Sequence, residues 1–227
     1  MPASEPVPVP IATASTDARS ALVLASPIGI IATCALAQLL FGRALGVWAW
    51  APTMLLFWGL IVLLIVRVRG RQAFGAWLRP AAGAWGWSAL AVAAGLLSLP
   101  GFLAHWSVLA TPLVGAAWLV FALVNPWLEE AYWRGLLMDA THAWGAVLSV
   151  TWSATWFALS HPLIWGVHAT AMRQWPVIVA LFVVGAIWGV AYRRTASLRW
   201  TIAGHMLANA LGLAVPILLN LHNPAAR

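Results

Sequence analysis

The sequence predicts an all-α protein, a polytopic transmembrane bundle of about seven spans. Three observations point there. Hydrophobic residues make up 63% of the 227 positions and charged residues 7%, against roughly 25% charged in a soluble domain. The mean hydropathy is +0.89, and 17 Trp add more apolar surface than a soluble core could absorb. The apolar residues also come in runs near the length of a bilayer crossing, separated by Arg, Pro and Gly.

The elements follow in order. Residues 1–20, MPASEPVPVPIATASTDARS, are rich in Pro, Ala and Ser and are expected to be a disordered tail. A secretory signal needs basic residues ahead of its apolar core, and the first here is Arg19, so the first span is expected to be retained. Spans are expected at about 21–41, 46–66, 84–104, 107–134, 143–165, 175–192 and 200–221. Together they form one transmembrane domain over 21–222, whose motif-bearing core lies at about 120–215. Cys34 falls inside an apolar run and reads as a small buried residue.

All twelve basic residues are Arg. They collect between the apolar runs, which is the mark of cytoplasmic loops and argues against nucleic-acid binding. Arg67, Arg69, Arg71 and Arg79 share one loop, and Arg193, Arg194 and Arg199 another. With the seven spans so placed, both loops and Arg19 lie on one side, leaving Arg43, Arg173 and Arg227 opposite. The N-terminus is therefore expected in the cytoplasm and the C-terminus outside. A chain rich in Ala, Trp and Arg and lacking Lys suggests a bacterial inner membrane.

Ionisable side chains at bilayer depth are expensive and mark function. The candidates are Glu129, Glu130, Arg134, His161, His205 and Asn209, the last as a polar companion. In NPWLEEAYWRG, Glu130 and Arg134 stand four apart and can pair on one helix face. Glu129 is turned about 100° away, free to face a cavity as a general base. Pro126 just before the pair could open room for water. The plainer alternative is an interfacial salt bridge at a helix end, with Glu129 in water. His161, a lone histidine at a helix end, reads by itself as interfacial more readily than as catalytic. His205 and Asn209 share a face four apart and could serve chemistry or simply join helices by hydrogen bonds. His105, His142, His168, His222 and Asp139 fall at loops or ends and are expected in solvent. Counting residues from the turn near His142 offsets Glu129 from His161 by roughly 9 Å in depth. The three positions Glu129, His161 and His205 are expected to border a cavity opening toward the cytoplasm.

Taken together, EEAYWR, FALSH and HMLAN resemble the ordered motifs of the CPBP intramembrane protease family, which includes the CAAX-type proteases and relatives tied to bacteriocin processing. The resemblance covers about residues 120–215 and implies an intramembrane endopeptidase; the acidic neighbour and apolar setting of Glu129, with Asn209 one turn from His205, lead us to expect no metal and no cofactor. It matches Glu129 to the glutamate that activates water and His161 to the histidine that helps hold that water. His205 and Asn209 match the pair that stabilises the oxyanion, with Glu130 and Arg134 completing the first motif. The implied partners are the lipid bilayer and a membrane-anchored protein or peptide substrate. Three rival readings remain: a non-proteolytic immunity or regulatory protein of the same fold, a proton-coupled transporter, and a zinc protease using Glu129, His161 and His205. The short chain lacks the broken inverted repeat of many transporters, and the usual His-Glu-x-x-His helix is absent.

Overall fold

A computed structural model describes residues 16–80 and 84–221. Every regular element among them is helical: α1 (Thr16–Leu45), α2 (Trp50–Arg69), α3 (Ala73–Trp77), α4 (Trp85–Gly95), α5 (Leu99–His105), α6 (Pro112–Glu130), α7 (Met138–Ala140), α8 (Ala146–Ile164), α9 (Trp175–Thr195), α10 (Arg199–Leu211) and α11 (Ala214–Leu218). Seven residues between α6 and α7, Ala131–Leu137, form a π-helix. Helix α1 takes in 16–20 of the expected tail. Residues 1–15, His222 and Arg227 lie outside the described residues.

The expected spans fall on α1, α2, α4–α5, α6–α7, α8, α9 and α10–α11. Four continuous segments are long and apolar enough to cross a bilayer: Ala18–Arg69, Trp85–Ala110, Pro112–Ala140 and Trp175–Thr195. The first holds both α1 and α2, which part at Gly46, where φ is +55° and a side chain would be strained. Leu55, Leu97, Leu119 and Val147 are all more than a third exposed, as side chains facing lipid are. The exception to simple spanning is α10. Its 13 residues rise only about 20 Å, short of a hydrocarbon core of about 30 Å. It ends at Gly212, and Leu213 in a left-handed turn starts α11. The polar face of α8 departs differently: Ser149, Ser153 and Ser160 are all buried against neighbouring helices.

One end of the bundle is tied together by hydrogen bonds. Leu198 N donates to Trp77 O at 2.8 Å, and Arg199 Nε donates to Leu78 O at 2.6 Å. Asp139 is the knot of this end. Its Oδ2 accepts from Arg69 Nη2 at 2.8 Å and Trp77 Nε1 at 3.1 Å, and its Oδ1 from Tyr192 OH at 2.8 Å. The expectation of a solvated Asp139 is therefore corrected: a partly buried carboxylate needs donors, and three elements distant in sequence supply them. His168, also expected in solvent, is corrected at the other end. Its Nε2–H donates to Gln38 O at 3.1 Å, and its carbonyl accepts from Asn220 Nδ2.

Helices α4 and α10 cross at Gly95 and Gly204. A Cβ on Gly204 would collide with Ala91 O, and one on Gly95 with Gly204 O. Gly204→Ala is expected to push the helices apart at about 1–3 kcal/mol. It should lower the thermal midpoint of the detergent-purified protein and displace the adjoining His205. An unchanged midpoint would show that the crossing yields.

Candidate active site

Helix α6 delivers the two carboxylates. Pro126 lies inside it, and proline has no N–H to give to the preceding turn. Directly after Glu130 the chain widens into the π-helix, a form that recurs at functional sites. All of Ala131–Leu137 is buried. The wider turn is held by its neighbours: Ser153 Oγ of α8 donates to Trp133 O at 2.7 Å, and Tyr132 OH meets Ser26 Oγ of α1 at 2.8 Å.

The carboxylates part as their spacing requires. Glu130 is fully buried, and its Oε1 accepts from Arg134 Nη1 at 2.8 Å. The same oxygen accepts from His205 Nδ1–H, also at 2.8 Å. Arg134, equally buried, sends Nη2 to Gly185 O at 3.2 Å. Its Cζ stands 4.5 Å from the ring centre of Phe157 and 5.3 Å from that of Trp188, where the negative ring faces favour a cation. The pair is thus built into the core and not placed at a wet helix end. Glu129 is 3% exposed, its Oε2 has no hydrogen-bond partner, and His205 Nε2 lies 3.8 Å from that oxygen.

The two histidines are held by opposite logic. His161 Nδ1 lies 2.8 Å from Phe157 O. A carbonyl can only accept, so the proton sits on Nδ1 and Nε2 keeps its lone pair. His205 Nδ1–H is taken by Glu130, which turns Nε2 toward Glu129. The ring of Trp188 stacks on His205 at 4.7 Å and 23°, and Trp188 Nε1 donates to Ala91 O at 2.9 Å. Phe157 sits edge-on to both histidines. One turn beyond His205, Asn209 has its Nδ2 buried and unpartnered. Orphaned buried polar atoms are uncommon enough to need a reason.

A cavity of about 250 Å³ supplies one. Glu129, His161, His205 and Asn209 line it, while Glu130 and Arg134 stand behind its wall. The roughly 9 Å depth gap between Glu129 and His161 is bridged by side-chain direction. Helical Cα–Cβ bonds tilt toward the N-terminus, and α6 and α8 run antiparallel through a short turn, so the two side chains lean toward each other.

The cavity does not extend toward the Arg-rich end, the end that the sequence led one to expect in the cytoplasm. The rest of the lining includes Leu97, Ser98, Met172, Val177 and Ile217. These lie at the helix ends away from the Arg-rich loops, so the cavity extends toward the Arg-poor end. Residue counts from the turn do not carry this, because they hold no information on which helices surround the cavity. Sequence reasoning also missed Asn125 and Trp188. Asn125 is buried, lines the cavity one turn before Glu129, and accepts Trp58 Nε1 at 2.8 Å on its Oδ1. Its four-residue spacing from Glu129 was a readable signal. Trp188 had none among so many tryptophans. Among the described residues no three His, Cys, Asp or Glu side chains converge as metal ligands would.

Residues 111–211 match the family model described as Rce1-like, type II CAAX prenyl endopeptidase. The match runs from the residue before α6 to the end of α10 and contains all six motif residues. No curated protein and no solved structure matches the chain. With its bilayer-length apolar helices the protein is an integral membrane protein, and its residues 111–211 are similar to the Rce1-like, type II CAAX prenyl endopeptidases.

Proposed function

We propose that the chain is an intramembrane endopeptidase in which Glu129 activates water to hydrolyse a peptide bond of a membrane-anchored protein or peptide. The observation that carries this is the unpartnered Glu129 Oε2, facing a cavity shared with two histidines and an unpartnered amide. Glu129 takes a proton from water, and the water oxygen bonds to the substrate carbonyl carbon. His161 Nε2 accepts the second water proton as a hydrogen bond and so orients the attack. The carbonyl oxygen gains the negative charge and meets Asn209 Nδ2–H and, in protonated His205, Nε2–H. The C–N bond then breaks, and the proton held by Glu129 passes to the leaving nitrogen. Because Oδ1 of Asn125 is occupied by Trp58, that residue offers its Nδ2 donors to the substrate backbone. In this reading the Arg-rich end and the N-terminus lie in the cytoplasm of a bacterial inner membrane, by the positive-inside rule.

Comparative membrane proteomics of cells carrying wild type or Glu129→Gln tests the proposal. Uncut precursors are expected only with the variant. Identical proteomes would favour a regulatory protein of the same fold. Asn209→Ala is expected to lower kcat by about 10²–10³-fold with little change in KM, the usual loss for one oxyanion donor. A fall in thermal stability with kcat intact would show that Asn209 only joins helices.

A further inference from the structure

We infer that the active site receives its substrate from the face opposite the arginine-rich loops, so that it cuts exported, membrane-anchored polypeptides and not cytoplasmic chain ends. This rests on the endopeptidase reading and adds to it the side of entry and the substrate class.

The two ends of the bundle differ in charge. Arg19, Arg67, Arg69, Arg71, Arg79, Arg193, Arg194 and Arg199 lie at the end joined through Asp139, Trp77 and Leu198. Among the described residues the other end has Arg43 and Arg173. Arg173 is already engaged with the carbonyls of Gly166 and Val167. The bias sets the first end in the cytoplasm.

The cavity is closed on that side. Behind the catalytic groups stand Arg134, Phe157 and Trp188, each at most 1% exposed. A peptide entering from the cytoplasm would have to displace the buried Glu130–Arg134 pair. On the opposite side the wall runs through Leu97 and Ser98 after α4, the start of α9 at Val177 and Ala180, and Ile217 of α11. Val177 and Arg193 sit at opposite ends of α9, about 24 Å apart along its axis. Leu97 and Ala180 on this rim are exposed, so the wall is open there.

The chemistry of the rim selects the substrate. Leu97, Ala180 and Ile217 are apolar, and the ionisable groups lie at the base. An apolar anchor can stay in the lipid beside the rim while the adjoining extended segment descends to Glu129. A segment in that position has already crossed the membrane. A chain end lipid-modified in the cytoplasm would approach the closed side.

The test is thiol labelling in a Cys34→Ser background, which removes the one native thiol. Met172→Cys reports the cavity wall, Thr170→Cys the exposed loop beside it, and Arg71→Cys the opposite end. A membrane-impermeant maleimide is expected to label the first two in intact spheroplasts and Arg71→Cys only in inverted vesicles. The reverse pattern overturns the inference, as does failure of Met172→Cys to react from either side while Thr170→Cys reacts from outside. Labelling needs no turnover, so it holds or fails independently of the endopeptidase reading. Precursors that accumulate with Glu129→Gln should be digested by proteinase K added to spheroplasts. Protected precursors would overturn the substrate class. No precursors at all, with outside labelling intact, would sink the endopeptidase reading and leave the side of entry standing.

Discussion

Glu129→Gln is expected to abolish peptide cleavage while leaving membrane insertion and thermal stability near wild type. The side chain keeps its shape and its place on the cavity, and Oε2 has no hydrogen-bond partner to lose. What disappears is the ability to take a proton from water. Proton transfer by a positioned group is worth about 10²–10⁴-fold in rate, and in the proposed mechanism the same carboxylate also returns the proton to the leaving nitrogen. Both steps fail together, so the loss should reach the upper end of that range or exceed it. The measurement is single-turnover cleavage by purified protein in detergent, beside its thermal unfolding curve. Turnover within tenfold of wild type would remove Glu129 from the role of base. A collapsed unfolding curve would instead mark Glu129 as a structural group.

Arg134→Met is expected to cost about 3–5 kcal/mol of stability, because breaking a buried pair leaves an uncompensated charge. The strain falls on Glu130, whose Oε1 would keep only His205 as a donor. The guanidinium also contributes its contact with Gly185 O and its position over Phe157 and Trp188, so Arg134→Lys should not rescue it. The double variant Glu130→Leu/Arg134→Met removes both charges and should regain most of the lost stability. Activity should stay low in that double variant, since His205 then has no carboxylate to fix its ring. The checks are folded yield and unfolding midpoint for all three variants, with cleavage measured on whichever survives. Full activity in the double variant would show that Glu130 does not position His205. A single Arg134→Met variant as stable as wild type would show that the pair is solvated.

Much of the fold was legible in the sequence, because membrane insertion depends on local composition. A run near 20 apolar residues must cross or hide, so the all-α bundle follows from hydropathy alone. The separation of Glu129 from the Glu130–Arg134 pair was equally local. It follows from the helical turn, which fixes the angle between adjacent residues and the reach of residues four apart. His205 and Asn209 could be placed on one stripe for the same reason. Tertiary structure decided what no local rule carries. It gave Glu130 a second donor in His205, seventy-five residues away, and put Trp188 flat against that ring. It drew Asp139 and His168 out of solvent by supplying donors and acceptors from distant helices. It also turned the cavity toward the Arg-poor end. That direction depends on which ends of α4, α9 and α10 line the cavity, and packing between helices decides this.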